Sequence, residues 1–180
     1  MKFFPFERLK ITTKYSADEA ISRLANVTEP RRYFRWFATD HKPYEGKVEG
    51  YQFQISRVIN YRNSFLPMIH GKVLPEMPGS SIRITMRPHG LVIAFMIFWL
   101  GSVGFFFLAM LVSFISSATQ NNMGDLSMLL IPGGMFAFGY ALILGGFKFE
   151  SIKSKKFLRE LFQAEEVEEI AIVNPFEVAG

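Results

Sequence analysis

The residue types that perform chemistry occur in this chain without the spacings that chemistry needs. Three histidines, His41, His70 and His89, lie too far apart for a metal-binding pair, and there is no HExxH. The absence of cysteine removes a thiol nucleophile, a thiolate-ligated metal and a disulfide framework. Serines are plentiful, but no GxSxG elbow holds one. Glycines fall outside the GxGxxG and GxxxxGK[ST] frames that cradle phosphates. Arg57, Arg62, Asn63 and Ser64 form the one polar group around which an accessory enzyme site would be built. No cofactor is expected.

Charge follows a sharper pattern. Of 20 Lys/Arg and 16 Asp/Glu, all but Asp125 lie within 1–89 and 148–180, so residues 90–124 and 126–147 carry no charge at all. A wholly soluble globular chain and a disordered one are both excluded by that segregation. Residues 1–89 hold fifteen basic and eight acidic side chains, a net +7, while 148–180 hold five and seven, a net −2. Arg83, Arg87, Lys148, Lys153, Lys155 and Lys156 border the uncharged region and form the expected membrane-surface set. Near an anionic leaflet each such cation gains roughly 1 kcal/mol. Arg31, Arg32 and Arg35 alternate with Tyr33, Phe34 and Trp36, a mixture that suits nucleic acid or a lipid interface. Without an RNP pattern it reads as a strand with an arginine face, and nucleic acid is not an expected partner.

Two elements account for the uncharged region. Leu91 to Ile115 is 25 residues long and Met128 to Phe147 is 20. At about 1.5 Å per residue each can cross a hydrocarbon core of about 30 Å. Neither has the position of a removable leader. Pro132 sits near the start of the second run, where a missing amide hydrogen costs least. The connection from Ser116 to Ser127 has one acid and no base, whereas both outer flanks are basic. The positive-inside rule then places both termini in the cytoplasm and the short loop outside. Gly133, Ala137, Ala141 and Gly145 recur every four residues as a stripe of small side chains. It reads first as the hairpin's own contact with Ala94, Ile97, Gly101 and Gly104, and alternatively as an interface between chains. In the first reading Ala141→Leu pushes the two helices apart.

The flanks supply an α+β module. Arg8 to Tyr15 alternates as a half-buried strand, and Ser16 to Glu19 forms a capping box opening a helix that runs to about Val27. Arg31 to Ala38, Val48 to Ile59 with Gly50 as a bulge, Leu66 to Leu74 and Ser81 to Arg87 are the further strand candidates. Turns are expected at 61–64 and 75–79. Phe149 to Ala164 reads as a separate helix that packs back on the sheet, and Ile170 to Val173 as an edge strand. The expected organisation is an antiparallel-sheet cytoplasmic module (1–89), interrupted by a transmembrane hairpin (90–147), with a helix and acidic tail (148–180) returning to it.

The segments PYEGKVEG, ISRVINYRNSFLP and SIRITMRPH, the hairpin, and FKFESIKSKKFL together resemble a group of small two-helix bacterial membrane proteins, cyanobacterial ones especially. The resemblance covers most of residues 44–160, and YRNSFLP (Tyr61 to Pro67) is its most specific piece. It implies a bacterial inner membrane, or a thylakoid membrane, and transfers no activity or site. The expected function is a non-enzymatic binding or scaffolding module at the membrane surface. Its expected partners are the lipid bilayer and a second copy or another membrane protein. The alternative is a subunit of an oligomeric channel or transporter, although Ser102, Ser113 and Tyr140 are the main polar groups within the two runs.

Overall fold

Alternation of apolar and polar side chains organises the folded chain, because residues of one phase must all meet the same core. A computed structural model describes residues 4–31, 41–119 and 127–170. Its elements, in chain order, are β1 (Glu7–Thr13), α1 (Ala17–Asn26), β2 (Thr28–Glu29), β3 (Tyr44–Glu49), β4 (Gln52–Arg57), β5 (Met68–Glu76), β6 (Gly79–Arg87), α2 (Gly90–Thr119), α3 (Ser127–Leu161) and β7 (Glu166–Glu169). The strands form one seven-stranded sheet in the order β2-β3-β4-β5-β6-β1-β7. Only β2 and β3 pair in parallel; every other neighbour is antiparallel. The fold is therefore α+β, a mixed, mostly antiparallel sheet plus a hairpin of two long apolar helices.

One sheet face carries the core. Leu9 and Ile11 of β1 register with Ile84 and Ile82 of β6, which register in turn with Gly71 and Val73 of β5. Against this face lie Ala17, Ala20 and Leu24 of α1, and Phe147, Leu158 and Phe162 from α3 and its exit. Ser16 caps α1 as the capping-box pattern requires, its hydroxyl accepting from the Glu19 amide. Phe162 is fully buried, and its carbonyl accepts a 2.6 Å hydrogen bond from the Thr13 hydroxyl. The opposite sheet face is left open.

The structure corrects several sequence expectations. The run 48–59 is not one bulged strand: the chain reverses at Gly50 and Tyr51, where Gly50 takes φ 54°, and β3 pairs with β4 as a hairpin. Glycine at that left-handed position is a turn signal. Pro75 belongs to β5 instead of ending it, since the turn to β6 lies at Met77 and Pro78. The acidic stretch itself forms the edge strand β7, registering Glu166 to Glu169 against Thr12 to Leu9. The aromatic strand expected at 31–38 lies outside the described residues from 32 onward, as do residues 171–173 and 120–126 of the helix connection.

The largest difference concerns α3. The second uncharged run and the helix expected after it form a single helix of 35 residues, about 52 Å long. No residue between Gly145 and Phe149 breaks helical geometry, so the change from apolar to charged sequence is a change of surroundings along one rod. The candidate membrane spans, Gly90–Ser117 and Leu129–Leu161, are 6% and 11% buried over their most apolar windows. Phe95, Ile97, Phe98, Phe105, Phe106 and Phe138 all stand exposed on them. An apolar surface of that extent needs an apolar surrounding.

The two faces of α3 beyond residue 147 should differ sharply in sensitivity. Leu158→Ala removes a fully buried side chain from the core and should cost about 2–5 kcal/mol, read as a lower melting temperature in detergent. Ile152→Ala, at a position 60% exposed, should leave the melting temperature near wild type.

Candidate functional site

At the point where α3 meets the sheet, two carboxylates are buried among cations. Glu7 shares the inward phase of β1 with Leu9 and Ile11 and is 2% exposed. Lys148, Ser151 and Lys155 stand at i, i+3 and i+7 on α3, so one helix face presents all three to it. Lys148 and Ser151 donate to its two oxygens, and Lys155 lies at 3.1 Å. Lys155 reaches onward to Glu169 of β7 at 3.0 Å, tying α3, β1 and the edge strand β7 together.

The second carboxylate is Glu150, completely buried on α3. Arg57 at the end of β4 donates to it at 2.8 Å, the Tyr61 hydroxyl donates to its other oxygen, and Lys153 lies at 3.4 Å. One turn earlier, Asn63 donates from its side-chain amide to the Gly146 carbonyl at 3.0 Å, while its side-chain oxygen accepts from the Phe65 amide. Gly146 permits this approach: a Cβ there would lie 3.0 Å from Phe65 Cδ2 and 3.2 Å from Asn63 Oδ1. The YRNSFLP segment is thus a clasp whose Tyr61, Asn63 and Phe65 all grip α3.

These contacts locate the expected surface cations. Lys148, Lys153 and Lys155 are engaged with Glu7, Glu150 and Glu169, whereas Lys156 is exposed and forms no ion pair among the described residues. Arg83 and Arg87 lie on the other face of the sheet from this cluster, exposed on β6 and without an ion pair among the described residues. Of the residues weighed as an enzyme site, Arg57 and Asn63 serve the clasp. No group of three metal-ligating side chains occurs among the described residues.

The small-residue stripe divides between two surfaces. A Cβ on Gly133 would meet Phe107 at 3.1 Å, so this position does face α2. Ala137, Ala141 and Gly145 are exposed, and a Cβ on Gly145 would meet nothing within 4 Å. The expected self-contact therefore fails beyond Gly133, because a four-residue repeat drifts about 40° per step around a helix of 3.6 residues per turn. The helices meet instead at Gly139 against Trp99 and Leu100, and at Gly104 against Phe136. A three-and-a-half residue spacing in α3 would have marked this seam.

No protein-family model matches this chain, and no match is found among curated proteins or solved structures.

Burial alone pushes the Glu7 carboxyl upward, but hydrogen bonds from Lys148, Ser151 and Lys155, with the Lys155 charge, outweigh it and hold the group below 4.5. A carboxylate depressed in the folded state contributes stability fully present above its ordinary value and lost as the pH falls through the lower folded value. Thermal stability should therefore drop on acidification below about 4.5, and Glu7→Gln should flatten that part of the profile. At neutral pH the same variant should cost about 1.5–3 kcal/mol, the scale of a hydrogen bond to a charged group.

The helix seam gives a second pair of variants. Gly133→Leu should overpack the contact with Phe107 and cost about 1–3 kcal/mol. Ala141→Leu, on the exposed side, should leave the melting temperature of the single chain unchanged in detergent.

Proposed function

We propose that this protein is a non-enzymatic binding module held rigidly at the cytoplasmic face of a bacterial membrane. The observation that carries this reading is the continuity of α3. Its first part is apolar on every side, and its last part supplies Leu158 to the sheet core. Anchor and sheet are thereby one body, and the sheet's attitude to the bilayer is set by the clasp at Glu7 and Glu150. Both buried carboxylates have their oxygens occupied by donors from the chain itself, which makes them fasteners of this junction instead of groups facing a substrate. The basic flanks, Arg83 and Arg87 before α2 and Lys156 on α3, support the orientation with the sheet inside.

A second reading, a subunit of an oligomeric channel or transporter, is favoured by the exposed Ala137, Ala141 and Gly145. Small side chains on a lipid-facing surface allow a second helix to approach closely.

The chain has no native cysteine, so single cysteines report orientation directly. Met77→Cys, at a turn 99% exposed, should react with an impermeant maleimide only when the cytoplasmic side is open. Asn121→Cys should react from the outside. The reverse pattern would overturn the orientation. Liposomes containing the pure protein should show no conductance; conductance abolished by Ala141→Leu would establish the channel reading.

A further inference from the structure

The open sheet face carries cations in an arrangement that a sheet built only for stability avoids. Lys72 of β5 stands directly opposite Arg83 of β6, and Arg83 directly opposite Lys10 of β1. With strands about 4.8 Å apart, three positive side chains share one row about 10 Å long, which Glu168 of β7 continues opposite Lys10. Like charges directly opposite each other destabilise a sheet. In the next row His70 stands opposite Thr85 and Thr85 opposite Arg8. Lys10 has Glu76 at 3.3 Å, but among the described residues neither Lys72 nor Arg83 forms an ion pair. Burial, followed by the charge of Arg87, keeps His70 below its ordinary value of 6.5, so it adds a neutral hydrogen-bonding ring to this surface near pH 7.

A concavity of about 600 Å³ lies over these rows, within the range of small-molecule sites. Lys72, Arg83, His70, Gln52, Gln54 and Thr85 line it. Lys47 and Glu49 line it too, and they pair with each other at 3.8 Å; Glu76, bonded to Lys10, also feels the Arg83 charge, while Lys72 forms no ion pair among the described residues. Phe53, which also lines it, is buried and turns its ring over Gly71 on the core side. His70 is the one ring at this surface, and no Phe, Tyr or Trp face among the lining residues is offered for stacking on a base. An arginine fork suits phosphate and carboxylate oxygens alike, and a lysine with several neutral donors around it can answer the further oxygens that phosphate carries.

We infer that this concavity binds a small, soluble, multiply charged phosphate compound, of the pyrophosphate or polyphosphate class, between Lys72 and Arg83. The inference deepens the binding-module reading and rests on it, because that reading places this face in the cytoplasm.

Full-length protein in detergent, titrated calorimetrically with pyrophosphate, tests it. Saturable binding of one pyrophosphate per chain is expected, weakened about tenfold or more by Arg83→Gln and by Lys72→Gln. Without ligand both variants should melt at or above the wild-type temperature, since each relieves cross-strand repulsion. Absence of binding by folded wild-type protein would overturn the inference, as would variants that bind normally. A lower melting temperature in the variants would also overturn it, by showing the cations to be structural. Repeating the titration in nanodiscs separates the phosphate sources: binding should persist with zwitterionic and with anionic lipid. Its abolition by anionic lipid would assign the face to headgroups and overturn a soluble ligand. Labelling at Met77→Cys decides the reading beneath independently, because pyrophosphate binding in detergent does not depend on orientation.

Discussion

Everything in this structure depends on one helix having to satisfy two surroundings without a break. Over residues 129–147 α3 presents apolar side chains on all sides, and over 148–161 it presents one face to a sheet and the other to solvent. A helix satisfies its own backbone hydrogen bonds in either medium, so the backbone needs no adjustment at the crossing. Only the side chains change, and they change within a single turn. Gly146, Phe147, Lys148, Glu150 and Ser151 pack respectively against Phe65, the core, Glu7, Arg57 and Glu7.

Charge at that crossing does what packing alone cannot. A helix with an apolar face slides or rotates on an apolar sheet at modest cost, because Leu and Phe contacts are nearly interchangeable. A buried carboxylate answered by three donors is not interchangeable: moving α3 by one residue would leave Glu7 and Glu150 without partners. Breaking a buried pair on one side costs about 3–5 kcal/mol, although a well-packed apolar replacement of the whole pair is often neutral. The clusters therefore define register and rotation more than they add net stability. The two carboxylates come from opposite partners, Glu7 from the sheet and Glu150 from the helix, so each locks the junction from a different side.

Sequence reading reached the elements whose physics is local. The cap at Ser16, the alternation of β1 and β6, and the two uncharged runs each follow from a short-range pattern, and the structure contains them. What escaped was set by distant partners. Glu7 shares phase with Leu9 and Ile11, but a charge at the head of an alternation looks like its polar end until Lys148 and Lys155 are known to arrive there. Lys148 and Lys155 are visible as basic residues beside an apolar run; with Ser151 between them, their i, i+3, i+7 spacing is the signal that they serve one side of the helix. YRNSFLP carried no pattern of its own because Tyr61, Asn63 and Phe65 form neither strand nor helix. Their meaning lies in three contacts with residues about 80 positions later. The hairpin at Gly50 was missed for a different reason: Val48, Tyr51, Phe53 and Ile55 are apolar enough to read as one strand, and a lone glycine fits a bulge as well as a turn.

The two faces of the sheet treat charge in opposite ways, and the contrast explains the composition. On the packed face Glu7, Glu150 and Glu169 meet Lys148, Arg57, Lys153 and Lys155. Folding thereby commits these three carboxylates, two from the sheet and one from the helix, to the packed face. On the open face Lys72, Arg83 and Arg87 supply part of the positive excess of residues 1–89. Glutamine or threonine would occupy those strand positions without repulsion, and Gln52, Gln54 and Thr85 do so immediately beside them. Cations kept in directly opposed positions, on the one face that the fold leaves uncovered, lower the stability of the free protein. Glu76 offsets part of that cost beside Lys10 and Arg83, and an anion entering at Lys72 and Arg83 would offset more.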